Sequence, residues 1–189
     1  MADTATRRMT VEEFLQWEDG TDTRYELIDG VPVAMAPVSD PHGTMAGLLA
    51  GRIGQALEQR PGCFLKMDIG VRSPTRAANY YVPDLLVACG PVDRDRSEIP
   101  DPVLIVEILS PSTETTDRRQ KLPDYRLIPS VGEVLLIDPR RVYAEVHRRL
   151  DAERWLTDLL RDSDAILRLD TIGLAIKLGE LYRGLPIEG

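Results

Sequence analysis

Apolar and polar positions follow two different periods along this chain, and the switches between them mark the predicted elements. Residues 10–19, TVEEFLQWED, open on Thr10 with Glu13 three residues on, the pairing of a capping box, and Val11, Phe14, Leu15 and Trp17 give the short helix an apolar face. Residues 25–35, YELIDGVPVAM, set Asp29-Gly30 between two apolar runs. That predicts a hairpin, because a type I′ turn needs positive φ at both central residues. From Thr44 to Gln59 the positions Met45, Leu48, Leu49, Ile53, Ala56 and Leu57 recur at helical spacing until Pro61-Gly62 stops them. Strands are predicted over 64–72, 81–89 and 103–109, with an exposed loop rich in Asp, Arg and Pro over 90–102. Ser110-Pro111-Ser112-Thr113 is turn and cap chemistry leading into a polar helix from Glu114. Beyond it, 133–138 reads as a strand and 142–148 as another, with Val142, Ala144 and Val146 on one face and Tyr143, Glu145 and His147 on a solvated one. Residues 154–160 complete a meander, and 176–182 predict a final short helix. The order of elements describes one mixed α/β domain over 1–189, with its core at about 10–185.

Composition narrows the functional classes. At 189 residues the chain suits one domain. Its 23 Lys and Arg against 31 Asp and Glu leave a net charge of −8, which argues against coating nucleic acid or an anionic membrane through the overall field. The arginine pairs at 118–119, 140–141 and 148–149 read either as solvated faces or as a local phosphate-facing surface. Cys63 and Cys89 belong to no CxxC pair, so neither a disulfide framework nor a zinc knuckle is expected. No signal peptide or membrane-length apolar run is visible, which predicts a cytoplasmic protein with no membrane partner. A phosphate-binding Gly-rich loop, a GxSxG elbow and an HExxH helix are all absent from the sequence.

The chemistry lies in carboxylates that do not suit a core. VLIVEIL, residues 103–109, is apolar on both alternating faces and should be buried on both sides, yet it contains Glu107. A lone carboxylate there costs several kcal/mol unless it is paired, hydrogen-bonded, protonated or bound to metal. Asp84, just after Pro83, starts the neighbouring strand in YYVPDLLVA, either as a solvated end residue or as a partner of Glu107. Converging, the two form a hard oxygen site suited to Mg2+ or Mn2+. Glu26 in the first hairpin strand is an exposed position or a third carboxylate. Lys121 is a solvated helix lysine or a positive charge beside a phosphate. His42 reads as a turn or cap residue more readily than as a ligand.

YELIDG at 25–30, His42, Pro83-Asp84, VEILSPST at 106–113, DRRQKLPDY at 117–125 and the Val131–Pro139 run occur in order. Together they resemble the Uma-type restriction-endonuclease family, a domain of unknown function within the PD-(D/E)XK nuclease superfamily. The resemblance implies a restriction-endonuclease-like fold: a central mixed sheet flanked by helices, with an N-terminal hairpin, often in homodimers. It implies that Asp84 and Glu107 are the metal-binding acids and Glu26 a further carboxylate. Two residues after the acid, where the superfamily carries its lysine, this chain has Leu109, so Lys121 on the following helix would replace it. His42, Asp117 and Tyr125 match family positions without assigned roles. Pro123 departs from the family inside the helix of Lys121 and predicts a kink or a restart there. The expected function is a divalent-metal-dependent endonuclease acting on DNA. The alternatives are a non-catalytic binding or assembly protein that keeps the fold, and a hydrolase of small phosphoesters.

Overall fold

The computed structural model describes residues 8–187. The capping box forms at the start of α1 (Val11–Leu15), where Thr10 and Glu13 each accept from the other's backbone N–H. A hairpin follows, β1 (Tyr25–Ile28) and β2 (Val31–Ala34), turning through Asp29 and Gly30 at φ of 49° and 80°. Helix α2 (Asp40–Leu57) starts four residues earlier than the apolar period suggests, because Pro41 suits a first helical turn. Then come β3 (Cys63–Lys66), β4 (Val71–Arg72), β5 (Tyr80–Tyr81), β6 (Leu85–Cys89) and β7 (Pro102–Ile108). The helical passage after β7 has three parts: α3 (Glu114–Thr116), a π-helical turn (Asp117–Lys121) and α4 (Leu122–Leu127). Strands β8 (Glu133–Asp138), β9 (Tyr143–Arg149) and β10 (Trp155–Leu160) form the meander; β11 (Ile166–Leu169), β12 (Leu174–Lys177) and a 3-10 turn (Leu178–Tyr182) close the chain.

Six strands make the central mixed sheet, in the order β10-β9-β8-β7-β6-β3. Only β7 and β8 are parallel, joined by the α3–α4 crossover; the other neighbours are antiparallel. A smaller sheet, β2-β1-β5-β4, carries the N-terminal hairpin. One face of the central sheet (Leu104, Val106, Ile108, Leu135 and Ile137 among others) packs on α2, β11, β12 and the 3-10 turn. On the other, Ile105, Leu109, Val134 and Leu136 pack on Leu122, Tyr125 and Ile128 around α4. Each such fully buried aliphatic side chain contributes roughly 1.5–3 kcal/mol. β7 is thus covered on both faces, as its apolar residues on both alternating faces predict.

Several expectations need correction. The predicted strand 64–72 divides between the two sheets, since Asp68 takes φ 57° and Gly70 lies under the Tyr80 ring, where an added Cβ would stand 2.1 Å from Tyr80 Cζ. The strand over 81–89 divides at Pro83, which has no N–H for a ladder. The tail does form a short helix, a 3-10 turn over Leu178–Tyr182, but residues 176–177 belong to strand β12, and neither β11 nor β12 has a counterpart in the pattern. His147 is not solvated: it is 3% exposed, because α4 and β10 cover its face of β9. Cys63 and Cys89 form a disulfide. The antiparallel register of β3 on β6 sets them directly opposite one another, a relation that a spacing along the sequence does not reveal.

The disulfide closes a loop of 26 residues, which removes chain entropy from the unfolded state worth about 3 kcal/mol. Converting both cysteines to serine is expected to lower the unfolding free energy by about that amount in urea titration. An unchanged midpoint, together with free thiols in the untreated protein, would show that the bond does not form.

Candidate functional site

The site begins as a consequence of strand register. Leu85 pairs with Val106 and Leu86 with Ile105, so continuing the β6–β7 ladder by one residue sets Asp84 opposite Glu107 on the α4 face. Pro83 ends the pairing there, and the Asp84 carboxylate takes over as acceptor: its Oδ2 receives the Ile108 N–H at 2.6 Å. Its Oδ1 lies 3.3 Å from His42 Nε2, in the first turn of α2. Glu26 reaches across from the smaller sheet, its Oε1 accepting the Val82 N–H at 2.8 Å, and it is buried rather than exposed.

Pro123 explains how Lys121 arrives. Without an N–H, residue 123 cannot bond to the carbonyl one α-turn back, and the ladder widens: the Leu122 N–H bonds to the Asp117 carbonyl, five residues earlier. The expected interruption is therefore a π-helical turn, after which α4 restarts with proline in its first turn. Within that turn Asp117 and Lys121 both face the sheet. Lys121 Nζ lies 2.8 Å from Glu26 Oε1, 3.2 Å from Asp117 Oδ1 and 3.4 Å from Glu107 Oε1. One helical turn further on, the Tyr125 hydroxyl donates to Glu107 Oε1 at 2.6 Å. The Tyr125 ring stands edge-on to Tyr81, whose own hydroxyl donates to Asp124 and so ties α4 to β5.

Four carboxylates, Glu26, Asp84, Glu107 and Asp117, thus line one pocket with Lys121, which is its only lysine or arginine among the described residues. The cavity holds about 330 Å³. One wall is apolar, from Val33 to Val38; the other carries the hydroxyls of Ser110, Ser112 and Thr113. Burial raises the Glu107 carboxyl well above the ordinary glutamate value against the opposing pull of Lys121, and the surrounding carboxylates add to the rise. Asp117 is raised in the same way. For Lys121, burial works to discharge the ammonium, but Glu107, Glu26 and Asp117 outweigh it and hold it charged. Burial is the largest influence on His42 and works against its charge, but the hydrogen bond and charge of Asp84, with Ile108 and Asp117, together outweigh it and raise the imidazole above its ordinary value. Asp117 Oδ1 and His42 Nδ1 are buried without an aligned hydrogen-bond partner. Among the described residues no three His, Cys, Asp or Glu side chains are grouped so as to hold a metal by themselves.

Glu26, Asp84, Glu107 and Lys121, singled out from the sequence, share this pocket. Asp117, Tyr125 and His42 join them with contacts that the sequence left unassigned. The i, i+4 spacings Asp117–Lys121 and Lys121–Tyr125 on one helix face carried that signal. His42 matched a family position, but no spacing along the chain linked it to its distant partner Asp84.

The raised Glu107 value has a consequence for stability. A carboxyl whose folded value lies above its unfolded one contributes its stability fully below the unfolded value, here near 4.5, and loses it as pH rises through the folded value. Glu107→Gln is therefore expected to match wild type at about pH 4 and to melt higher than wild type at about pH 8, both in EDTA. A variant that melts lower than wild type at the higher pH would contradict the burial argument.

Comparison with known proteins bears on the fold and the family. The fold matches the crystal structure of a "putative nuclease belonging to DUF820" from Anabaena variabilis ATCC 29413, with a TM-score of 0.70 at 18% identity, over 93% of this chain and 98% of that one. Two uncharacterized proteins of Synechocystis sp. (strain ATCC 27184 / PCC 6803 / Kazusa) are also similar. One, slr1290, is 32% identical over 94% of this chain and 93% of its own length. The other, sll1609, is 27% identical over 85% of this chain and 93% of its own length. The profile of the Uma2 family, described as "Putative restriction endonuclease", matches residues 11–179, and the chain belongs to that family.

Proposed function

We propose that this single domain is an endonuclease that hydrolyses phosphodiester bonds in DNA, with a divalent cation held by Asp84 and Glu107. The observation that carries the reading is the opposition of those two carboxylates at one end of the central sheet, with a charged lysine entering the same pocket. The proposal extends to Mg2+ or Mn2+ as the ion and to a cytoplasmic homodimer.

The donor set fits such an ion. It consists of hard oxygens, carboxylates outnumber the ammonium four to one, and one buried oxygen, Asp117 Oδ1, lacks an aligned partner. Since no three protein ligands group closely among the described residues, Asp84 and Glu107 would supply two positions, with other oxygens completing the shell. A bound divalent ion neutralises charge on the phosphate and acidifies a coordinated water. The rest falls to the chain itself. His42 and the Ile108 N–H fix the two oxygens of Asp84. Tyr125 holds the orientation of Glu107 through Oε1. Lys121, whose ammonium the neighbouring carboxylates favour, offers a positive charge to the scissile phosphate or orients the attacking water. The hydroxyls of Ser110, Ser112 and Thr113 line the approach to that charge.

A second reading, a binding or assembly protein that keeps the fold, has one observation in its favour: Lys121 already neutralises part of the carboxylate charge. Nicking of supercoiled plasmid separates the two. Wild type is expected to nick with Mg2+ or Mn2+ and not in EDTA, and Glu107→Ala to lose roughly 100-fold or more, the loss of several kcal/mol of charge stabilisation. Equal nicking by both preparations would overturn the site, and no nicking by either would leave the binding reading ahead.

A further inference from the structure

The three arginine pairs of the sequence are divided by the fold. Arg148 crosses to the opposite face of β9 and bonds Glu133 and Asp158. Arg118, Arg141 and Arg149 instead meet on the α4 face, where Arg126 and Arg161 join them. Three of these five guanidinium groups surround Tyr143, with Arg141, Arg161 and Arg118 at 4.9, 5.6 and 5.8 Å from the ring centroid. Arg149 and Arg126 lie 4.6 and 5.6 Å from the centroid of Trp155. Tyr143 and Trp155 share this face at opposite ends of β9, since Trp155 pairs with Arg149. The six residue steps between Tyr143 and Arg149 make the shelf roughly 20 Å long.

Its position relative to the pocket follows from register. Glu107 pairs with Leu136, Leu136 with Glu145, and Glu145 with Leu159, so one row of side chains runs from the acidic pocket into the shelf. Two strand spacings, about 10 Å, separate Glu107 from Glu145 in that row. The π-helical turn bridges the same gap, with Asp117 lining the pocket while Arg118 bonds Glu145.

The five groups differ in their commitments. Arg149 donates to the carbonyls of Val131, Arg126 and Ile128, and Arg126 to His147 Nδ1, so these two are structural. Arg118 is held by Glu114 and Glu145. Arg141 bonds the buried Asp138 through Nε yet keeps about half its side chain exposed, and Arg161 is exposed with only the Tyr143 ring described beside it. Rings behind guanidinium groups hold their planar forks in place without using their outward donors, which suits phosphate oxygens. On a chain of net charge −8, an outward-facing arginine shelf is a local feature and not part of a general field.

We propose that this shelf binds the phosphodiester backbone of the polynucleotide whose scissile bond lies in the pocket, with Arg141 and Arg161 as the outermost contacts. The proposal rests on the nuclease reading for the identity of the ligand, but binding at the shelf needs neither metal nor turnover.

The test is fluorescence anisotropy of a labelled DNA oligonucleotide of about 20 nucleotides, single-stranded and duplex, in EDTA across a salt series. Arg141→Glu/Arg161→Glu is expected to weaken binding tenfold or more and to flatten the log–log salt slope by about 1.5, the share of two phosphate contacts. Arg161→Glu alone should weaken binding in the same direction with unchanged melting, which separates the effect from any loss of the Arg141–Asp138 contact. Arg183→Glu makes the same charge change on an exposed residue beyond the 3-10 turn that packs the opposite face, and should leave binding within twofold. Equal weakening by Arg183→Glu, no effect of the double variant, or no binding by wild type at low salt would overturn the shelf. Failure of the nuclease reading looks different: plasmid stays intact while oligonucleotide binding and its dependence on Arg161 persist, which supports the shelf.

Discussion

A glutamate near the end of a strand covered on both faces is the constraint around which the rest is arranged. Glu107 is 3% exposed, in a strand packed on both faces, where an unaccompanied carboxylate is untenable. Three elements answer it. The crossover after β7 delivers Lys121 and Tyr125 from one helix face, Asp84 stands directly opposite just before β6, and the N-terminal hairpin leans in with Glu26. Each also ties one part of the fold to another: α4 to β7, β6 to β7, and the small sheet to the large one. The polar cluster therefore sits where the elements meet. Four carboxylates face one ammonium in the pocket, so acids are in excess there.

Much of this was legible in the chain, and the limits are physical. Local signals held: the Thr10–Glu13 box, the Asp29-Gly30 turn and the continuous run of β7 each depend on neighbours within a few residues. Glu107 stood out because its surroundings in sequence contradict its charge. The failures concern relations across space. The Cys63–Cys89 bond depends on the register of two strands, and the burial of His147 and Glu26 depends on what another element lays over them. Two-faced alternation in β9 was read correctly as a pattern, but which face met solvent was not, because polar residues can line an interior when they satisfy one another. Glu145 shows this: its carboxylate accepts from Tyr143 and Arg118 inside the protein.

The same polar economy separates the two faces of the central sheet. The face on α2, β11 and β12 is an apolar core, with ion pairs such as Arg148–Glu133 and Arg52–Glu180 at its rim. The α4 face mixes aliphatic packing with tyrosines, arginines and acids. The close packing of the first tolerates little change in volume. The second carries groups in states that burial opposes, the condition under which active sites commonly forgo stability for chemistry.

The π-helical turn between Asp117 and Lys121 also works as a gauge of length. Each residue of a helix advances the direction of its side chain by about 100°. One residue lost or gained between the end of β7 and Pro123 would turn Lys121 away from Glu26 and Glu107, and would carry Tyr125 with it. It would also exchange the side chains offered to the two neighbouring surfaces, setting an arginine against the carboxylates or an acid against the shelf. Variation in chain length can be absorbed in the exposed stretch before β7, but in this helical passage the count of residues is itself part of the site.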